Sequence, residues 1–196
     1  MYVDTNSVVI MASGYSTRMG QNKLFLRYQG QTFLERTLQL VQGIPFNRII
    51  LVIKPNDLIN CNLPDMITVI LNTSSEQGQS ASVRLGSAVA IGQGCLYLPV
   101  DQPLLDSKTL ESLLDVGTAS NIVFPSVSGH ASSPVYFGRQ FFSELCRVTG
   151  TAGGRQVKQR HRQAWVPVAV DPQRVQDIDT PQQYQRLIGD SQVNTE

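Results

Sequence analysis

The sequence predicts an α/β fold whose sheet is mostly parallel. Three observations carry this. Short runs rich in Val, Ile and Leu, such as Arg48–Ile53 (RIILVI) and Cys95–Val100 (CLYLPV), read as strands buried on both faces. Stretches with apolar residues at helical spacing stand between them. A glycine-containing turn with two cations, Met11 to Lys23 (MASGYSTRMGQNK), follows the first apolar run directly.

The elements follow in order. Ser7–Ala12 reads as a strand. Thr32–Val41 places Phe33, Leu34, Leu38 and Val41 on one helical face. Arg48–Ile53 and Ile67–Leu71 are buried strands, and Ser80–Ile91 is a helix. Cys95–Val100 is a strand that ends at Asp101. Ser107–Val116 is a helix with Ser107 as N-cap. Asn121–Val127 and Pro134–Phe137 read as strands and Arg139–Val148 as a helix. Ala164–Val170 and Val175–Ile178 read as late strands. Thr180-Pro181 opens a last helix to Ile188, with the polar end SQVNTE frayed. No repeat or linker divides the 196 residues, so one domain spanning 1–196 is expected.

Composition narrows the function. A net charge of +1 gives no bulk signal for nucleic acid or an acidic membrane, and no apolar run is long enough to span a bilayer. The start, MYVDTNS, lacks the basic segment and apolar stretch of a signal peptide. Cys61, Cys95 and Cys146 are odd in number and widely spaced, which suits unpaired thiols in a reducing compartment. A cytoplasmic location is the expectation.

In α/β folds ligands collect beyond the carboxyl ends of the strands, where both the 11–23 loop and Asp101 stand. The loop is not a Walker A motif, because Gln21 and Asn22 separate Gly20 from Lys23. Ser16 breaks the dinucleotide fingerprint. What remains is a strand, a turn of small residues, Arg18 and Lys23. Backbone N–H groups of such a turn can converge on phosphate oxygens. Arg18 can grip an oxygen pair and Lys23 can add a point charge. A surface turn with two solvated cations is the other reading of the same residues.

The loop resembles the signature L-A-A-G-x-S-x-R-M-G-x-x-K of the MobA-like nucleotidyltransferases, the family of molybdenum cofactor cytidylyltransferase. The match covers Ala12, Ser13, Gly14, Arg18, Met19, Gly20 and Lys23. Further segments resemble that family in the same order. Glu76–Ala90 (EQGQSASVRLGSAVA) matches a segment that helps hold base and ribose, at Gly78, Ser82 and Gly86. Read without the family, it is a helix start capped by Ser80 or Ser82. Leu98–Leu105 (LPVDQPLL) matches the family's D-[QM]-P-L stretch, with Asp101 as metal ligand; otherwise Asp101 is a turn residue before Pro103. Ser132–Leu145 matches a G-H-P-V-L-F segment, but Ser133 stands where histidine is common, and His130 is out of register and reads as a loop residue. Val175–Leu187 (VQDIDTPQQYQRL) matches the closing D-I-D-T-P motif. On a strand Asp177 and Asp179 would face opposite ways, so one would reach the metal and the other serve as a cap. Arg155, Lys158, Arg160 and Arg162 suit either an anionic acceptor or a solvated basic face.

The resemblance implies a three-layer Rossmann-like nucleotidyltransferase fold with a mostly parallel mixed sheet, and Mg2+ as cofactor. It implies Arg18, Lys23 and Asp101 as catalytic residues, and Ala12, Ser13, Gly14, Arg18, Gly20, Lys23, Gly78 and Ser82 as nucleotide-binding residues. Asp101, Asp177 and Asp179 would be the metal set. CTP or GTP and the molybdopterin cofactor would be the substrates, with transient docking to a molybdoenzyme. Cytidylyl members read A-A-G and guanylyl members A-G-G where this chain has Ala12-Ser13-Gly14. A side chain at 13 narrows the space near the base and leans toward cytosine. The rivals are a guanylyltransferase, a sugar or isoprenoid phosphate transferase of the same fold, and a metal-independent carrier of a phosphorylated cofactor.

Overall fold

The computed structural model describes residues 6–193; residues 1–5 and 194–196 lie outside this range, and of the polar end expected to be frayed, residues 191–193 continue the last helix. The strands are β1 (Asn6–Ala12), β2 (Arg27–Tyr28), β3 (Gln31–Thr32), β4 (Arg48–Ile53), β5 (Ile67–Leu71), β6 (Gly94–Pro99), β7 (Ile122–Val127), β8 (His130–Ala131), β9 (Val135–Gly138) and β10 (Trp165–Ala169). The helices are α1 (Phe33–Gln42), α2 (Pro55–Leu58), α3 (Gln79–Val89), α4 (Ser107–Asp115), α5 (Phe142–Leu145), α6 (Arg155–Arg160) and α7 (Pro181–Val193). Among the described residues no helix is long and apolar enough to cross a membrane.

The main sheet runs β10-β7-β9-β6-β1-β4-β5, with β8 paired to β7. β1 is parallel to β4 and β6, β4 to β5, and β10 to β7. Only β9, among the strands of that path, runs against its neighbours β6 and β7. This is the mostly parallel mixed sheet that the sequence leads one to expect. Both faces are covered, which is why β1 reads as an unbroken apolar run. Val8 and Ile10 pack on one side with Leu38 of α1, Leu110 of α4 and Leu187 of α7. Val9 packs on the other with Val83 of α3, Leu145 of α5 and Val157 of α6. The result is three layers.

Local chemistry fixes the helix starts. Thr32 accepts from the Glu35 backbone N–H while Glu35 reaches back to the Thr32 N–H, a complete capping box for α1. α4 is capped by Asp106, which accepts from the Thr109 N–H at 2.9 Å, and not by Ser107. α3 starts at Gly78 without a side-chain cap, so neither Ser80 nor Ser82 has that part. Ser80 instead accepts from the Gly153 N–H.

Three segments differ from the sequence reading. Val175–Ile178 is not a strand. Among the described residues no strand pairs with it; Gln102 donates to the Val175 carbonyl and to Asp177, the Ser132 hydroxyl to the Val175 carbonyl and the Ile178 N–H to the Asp101 carbonyl, and Val175 and Ile178 are buried as anchors. Arg139–Val148 is a 3₁₀ turn over Arg139–Phe141 followed by the short α5. His130 is not in a free loop but pairs with Val127 through β8.

Gly86 sets how closely α3 lies on β1. A Cβ there would come 2.6 Å from both Val9 methyl groups. Gly86→Ala gains about 0.5–1 kcal/mol of helix propensity and loses about 1–3 kcal/mol by overpacking. A net loss of about 1–2 kcal/mol in urea unfolding is expected; an Ala variant as stable as the parent would show that α3 can move off the sheet freely.

Candidate active site

β1 lies between β4 and β6, the place in the sheet where chain order reverses, and its carboxyl end opens into a cleft. The loop after Ala12 bends through Ser16 (φ 51) and Gly20 (φ 73), both left-handed. Met19 is the plug that fixes it: the side chain is 3% exposed and belongs to the core, and its N–H donates to the Ser16 carbonyl. Among the described residues the N–H groups of Gly14, Tyr15, Thr17 and Arg18 meet no acceptor. Such a turn is ready for an anion. The loop ends in a 3₁₀ turn, Lys23–Phe25, whose cap Asn22 accepts from the Leu24 N–H.

That turn delivers Lys23 into a cluster of carboxylates. Its ammonium donates to Asp101 Oδ2 at 3.0 Å and to Asp179 Oδ1. Arg18 Nη2 donates to Asp179 Oδ2 at 2.7 Å from the cleft mouth. The Lys23 side chain is 13% exposed. Burial pulls its pKa down, but Asp101 and Asp179 outweigh that and the net shift is upward. Burial opposes the charge of Asp179 as well, and Lys23 and then Arg18 hold its pKa below the ordinary value.

Asp177 is placed differently. It does not line the cleft, and its carboxyl accepts from Gln102 Nε2 at 2.9 Å. Much of the residue is open to solvent, yet the carboxyl is turned inward. Lost hydration there, and then the negative charge of Asp101, push its pKa up to about 6. Gln102 also donates to the Val175 and Ser133 carbonyls, so it ties this segment beneath the cleft.

Asp101 and Asp179 thus pair with Lys23 and Arg18, and Asp177, turned to Gln102, adds a third negative charge nearby. Asp101 Oδ1 is buried without a hydrogen-bond partner. Excess negative charge and an orphaned carboxylate oxygen fit a divalent cation. A hard divalent cation needs only one or two carboxylates when water and phosphate oxygens complete its shell; among the described residues no group of three or more His, Cys, Asp or Glu is placed to hold a metal ion.

The cleft, about 260 Å³, is lined by Ser13, Gly14, Arg18 and Lys23 on one side and by Gly78 and Ser82 on the other. Ala12, buried at the strand end, and Gly20 shape the loop without lining it. Gly78 has φ 65, and a Cβ there would lie 3.2 Å from the Thr151 backbone. Ser13 Oγ and Ser82 Oγ share a hydrogen bond at 2.6 Å, and Asn72 Nδ2 donates to Ser13 Oγ at 2.8 Å. All three residues are buried.

Sequence reasoning did not single out Asn72, Tyr15 or Gln102. Asn72 carried a usable signal, since a polar residue directly after a buried strand is how Asp101 is found. Tyr15 stands at the mouth and its hydroxyl meets Ser75 Oγ at 3.0 Å. The basic segment 155–162 is not one solvated face. Lys158 is 9% exposed, with its ammonium 3.1 Å from the centre of the Phe124 ring. Burial, then Arg155, pushes its pKa down to about 8, against the pull of the rings. His130 and Ser133 do not line the cleft. Cys61, Cys95 and Cys146 are free thiols, and burial pushes the Cys95 thiol well up.

A sequence profile described as the MobA-like NTP transferase domain matches residues 8–165. Purine catabolism protein PucB of Bacillus subtilis is 27% identical over 190 residues, which is 90% of this chain and 92% of PucB. The crystal structure of Rv0371c from Mycobacterium tuberculosis H37Rv is 29% identical, covers 95% of this chain and 99% of its own, and superposes with a TM-score of 0.84. A complex of Rv0371c with manganese superposes at 0.79 with 26% identity, over 93% of this chain and 97% of that one.

Proposed function

The chain belongs to the MobA-like NTP transferase family, and from that membership we propose that it is a molybdenum cofactor cytidylyltransferase. In this reading residues 1–196 act as one transferase domain that moves CMP from CTP to the phosphate of the molybdopterin cofactor. The observation that carries it is Lys23, held between Asp101 and Asp179 at the end of a loop that offers free N–H groups to phosphate.

The acceptor phosphate oxygen attacks the α-phosphorus and forms a new P–O bond. The bond from that phosphorus to the bridging oxygen breaks, and pyrophosphate leaves with the electron pair. The attacking phosphate is already an anion, so neither a protein nucleophile nor a strong base is needed. The loop N–H groups cradle the triphosphate and Arg18 grips its outer oxygens. An ammonium has three donors; Lys23 spends two on Asp101 and Asp179 and keeps one for a phosphate oxygen. These groups act by in-line positioning and by meeting charge as it develops. Asp101 and Asp179 would hold Mg2+, which supplies Lewis-acid neutralisation of the triphosphate. Asp177 adds to the negative field from behind through Gln102.

Ser13 supports a small base. Its hydroxyl is committed to Ser82 and Asn72, so it fills the cleft wall and cannot turn away without leaving buried polar atoms unpaired. The test is pyrophosphate release from CTP and from GTP, with magnesium, with and without the molybdopterin cofactor. Acceptor-dependent release from CTP is the expected result. Release from GTP alone would keep the mechanism and overturn the base. Release from neither would turn attention to another acceptor or to a carrier.

A further inference from the structure

A phosphate-binding loop held in place before the ligand arrives loses less freedom on binding and positions its groups better. The loop here has little regular structure between Gly14 and Asn22. What holds its two ends lies in the neighbouring crossover. β4 pairs with β1 in parallel register, Ala12 opposite Ile53, so the residues after the two strands emerge side by side. α2 follows β4 and carries Asp57, which is 9% exposed.

One carboxyl oxygen of Asp57 reaches the far end of the loop: Oδ1 accepts from Asn22 Nδ2 at 2.8 Å. Asn22 is the cap of the turn that presents Lys23, and its own Oδ1 accepts from the Leu24 N–H at 3.1 Å. The other oxygen works at the near end. Oδ2 has no hydrogen-bond donor and is held by the Lys54 ammonium at 3.2 Å. Lys54 in turn donates to the Gly14 carbonyl at 3.3 Å. Both ends of the loop are therefore tied to one buried carboxylate.

We infer that Asp57 is the positioning residue of the phosphate loop, with Asn22 and Lys54 as its two arms. It touches no substrate and acts by fixing where Lys23 starts and where Gly14 leaves the sheet. The inference rests on the transferase reading for its effect on turnover, but the tie itself can be read without nucleotide.

The chemistry allows a reciprocal exchange. Asn22→Asp alone sets two carboxylates against each other and frees the far end. Asp57→Asn alone cannot serve both an amide and an ammonium as an anion does. Together, the amide at 57 donates to the carboxylate at 22 and accepts from Lys54, while the carboxylate at 22 still caps Leu24.

Two measurements on the full chain test this. Amide hydrogen exchange over residues 14–26, without nucleotide, is expected to be about tenfold faster in Asn22→Asp and to return to within about threefold of the parent in the double variant. The KM for CTP is expected to rise about tenfold in Asn22→Asp with a smaller change in kcat, and to recover with the second change. Parental exchange in Asn22→Asp, or a double variant no better than the single, would overturn the clasp. A parent chain that turns over no triphosphate would sink the transferase reading, and the exchange data would still decide the clasp.

Discussion

Asp101→Asn is expected to lower magnesium-dependent turnover by about a thousandfold or more while the chain stays folded. Loss of a carboxylate that holds a Lewis acid removes several kcal/mol of transition-state stabilisation, and about 4 kcal/mol is a thousandfold. The fold does not depend on that carboxylate. The bond that ties the closing segment here comes from the Ile178 N–H to the Asp101 backbone carbonyl, which asparagine keeps. The resting site also holds more carboxylates than cations, and one oxygen of Asp101 is buried without a donor. Removing that charge relieves repulsion with Asp177 and Asp179 but also gives up the ion pair with Lys23, so the two effects oppose each other. Urea unfolding in the absence of metal is therefore expected to stay within about 1 kcal/mol of the parent. Full turnover in the variant would remove the metal assignment and favour a carrier that binds a phosphorylated cofactor without transferring anything.

Lys23→Ala is expected to act in two opposite directions on two ligands. Turnover of CTP should fall by about 100-fold or more, the size of effect seen when one donor to a developing anion is removed. Metal affinity without nucleotide should rise, because the ammonium competes for Asp101 and Asp179. Calorimetric titration with magnesium alone checks this; equal or weaker metal binding would place the cation elsewhere. Stability should drop by about 1–2 kcal/mol, less than for a fully buried pair because Asp101 and Asp179 are each about a quarter exposed.

The same ion pairs set how stability depends on pH. Asp179 sits below its ordinary value of 3.8, so its pairing contributes stability above that pH and loses it as pH falls through the lowered value. Lys23 sits above 10.5, so its share is lost only as pH rises through that raised value. Without Lys23 the pKa of Asp179 moves up, and the acid limb of the urea midpoint should shift to higher pH. An unchanged acid limb would mean that Arg18 alone sustains Asp179.

The sequence by itself determined the order of β1, β4, β5, β6, β7, β9 and β10 along the chain and, through the motif at its first loop, the family; the short β2, β3 and β8 were not legible in it. Runs such as RIILVI and ITVIL have no periodicity to misread and are bounded by polar turns, so β4 and β5 are legible. Arg18, Met19, Gly20 and Lys23 are close in sequence, and a local motif is what a sequence reading sees best. The tertiary structure alone decided which groups meet. Lys23 joins Asp101 across 78 residues and Asp179 across 156, and those contacts follow from the position of β1 between β4 and β6. Val175–Ile178 has strand-like residues but no strand beside it, so its backbone follows Gln102 and not a sheet. For that reason Asp179 faces Lys23 while Asp177 turns to Gln102, a choice that alternation along a strand could pose but not make. Lys158 shows the same limit: a lysine in a basic stretch reads as solvated until the fold sets Phe124 and Trp165 against it. Residue pattern fixes local geometry because period and turn chemistry are local; partners distant in the chain are fixed only when the sheet closes and most buried polar groups must find one.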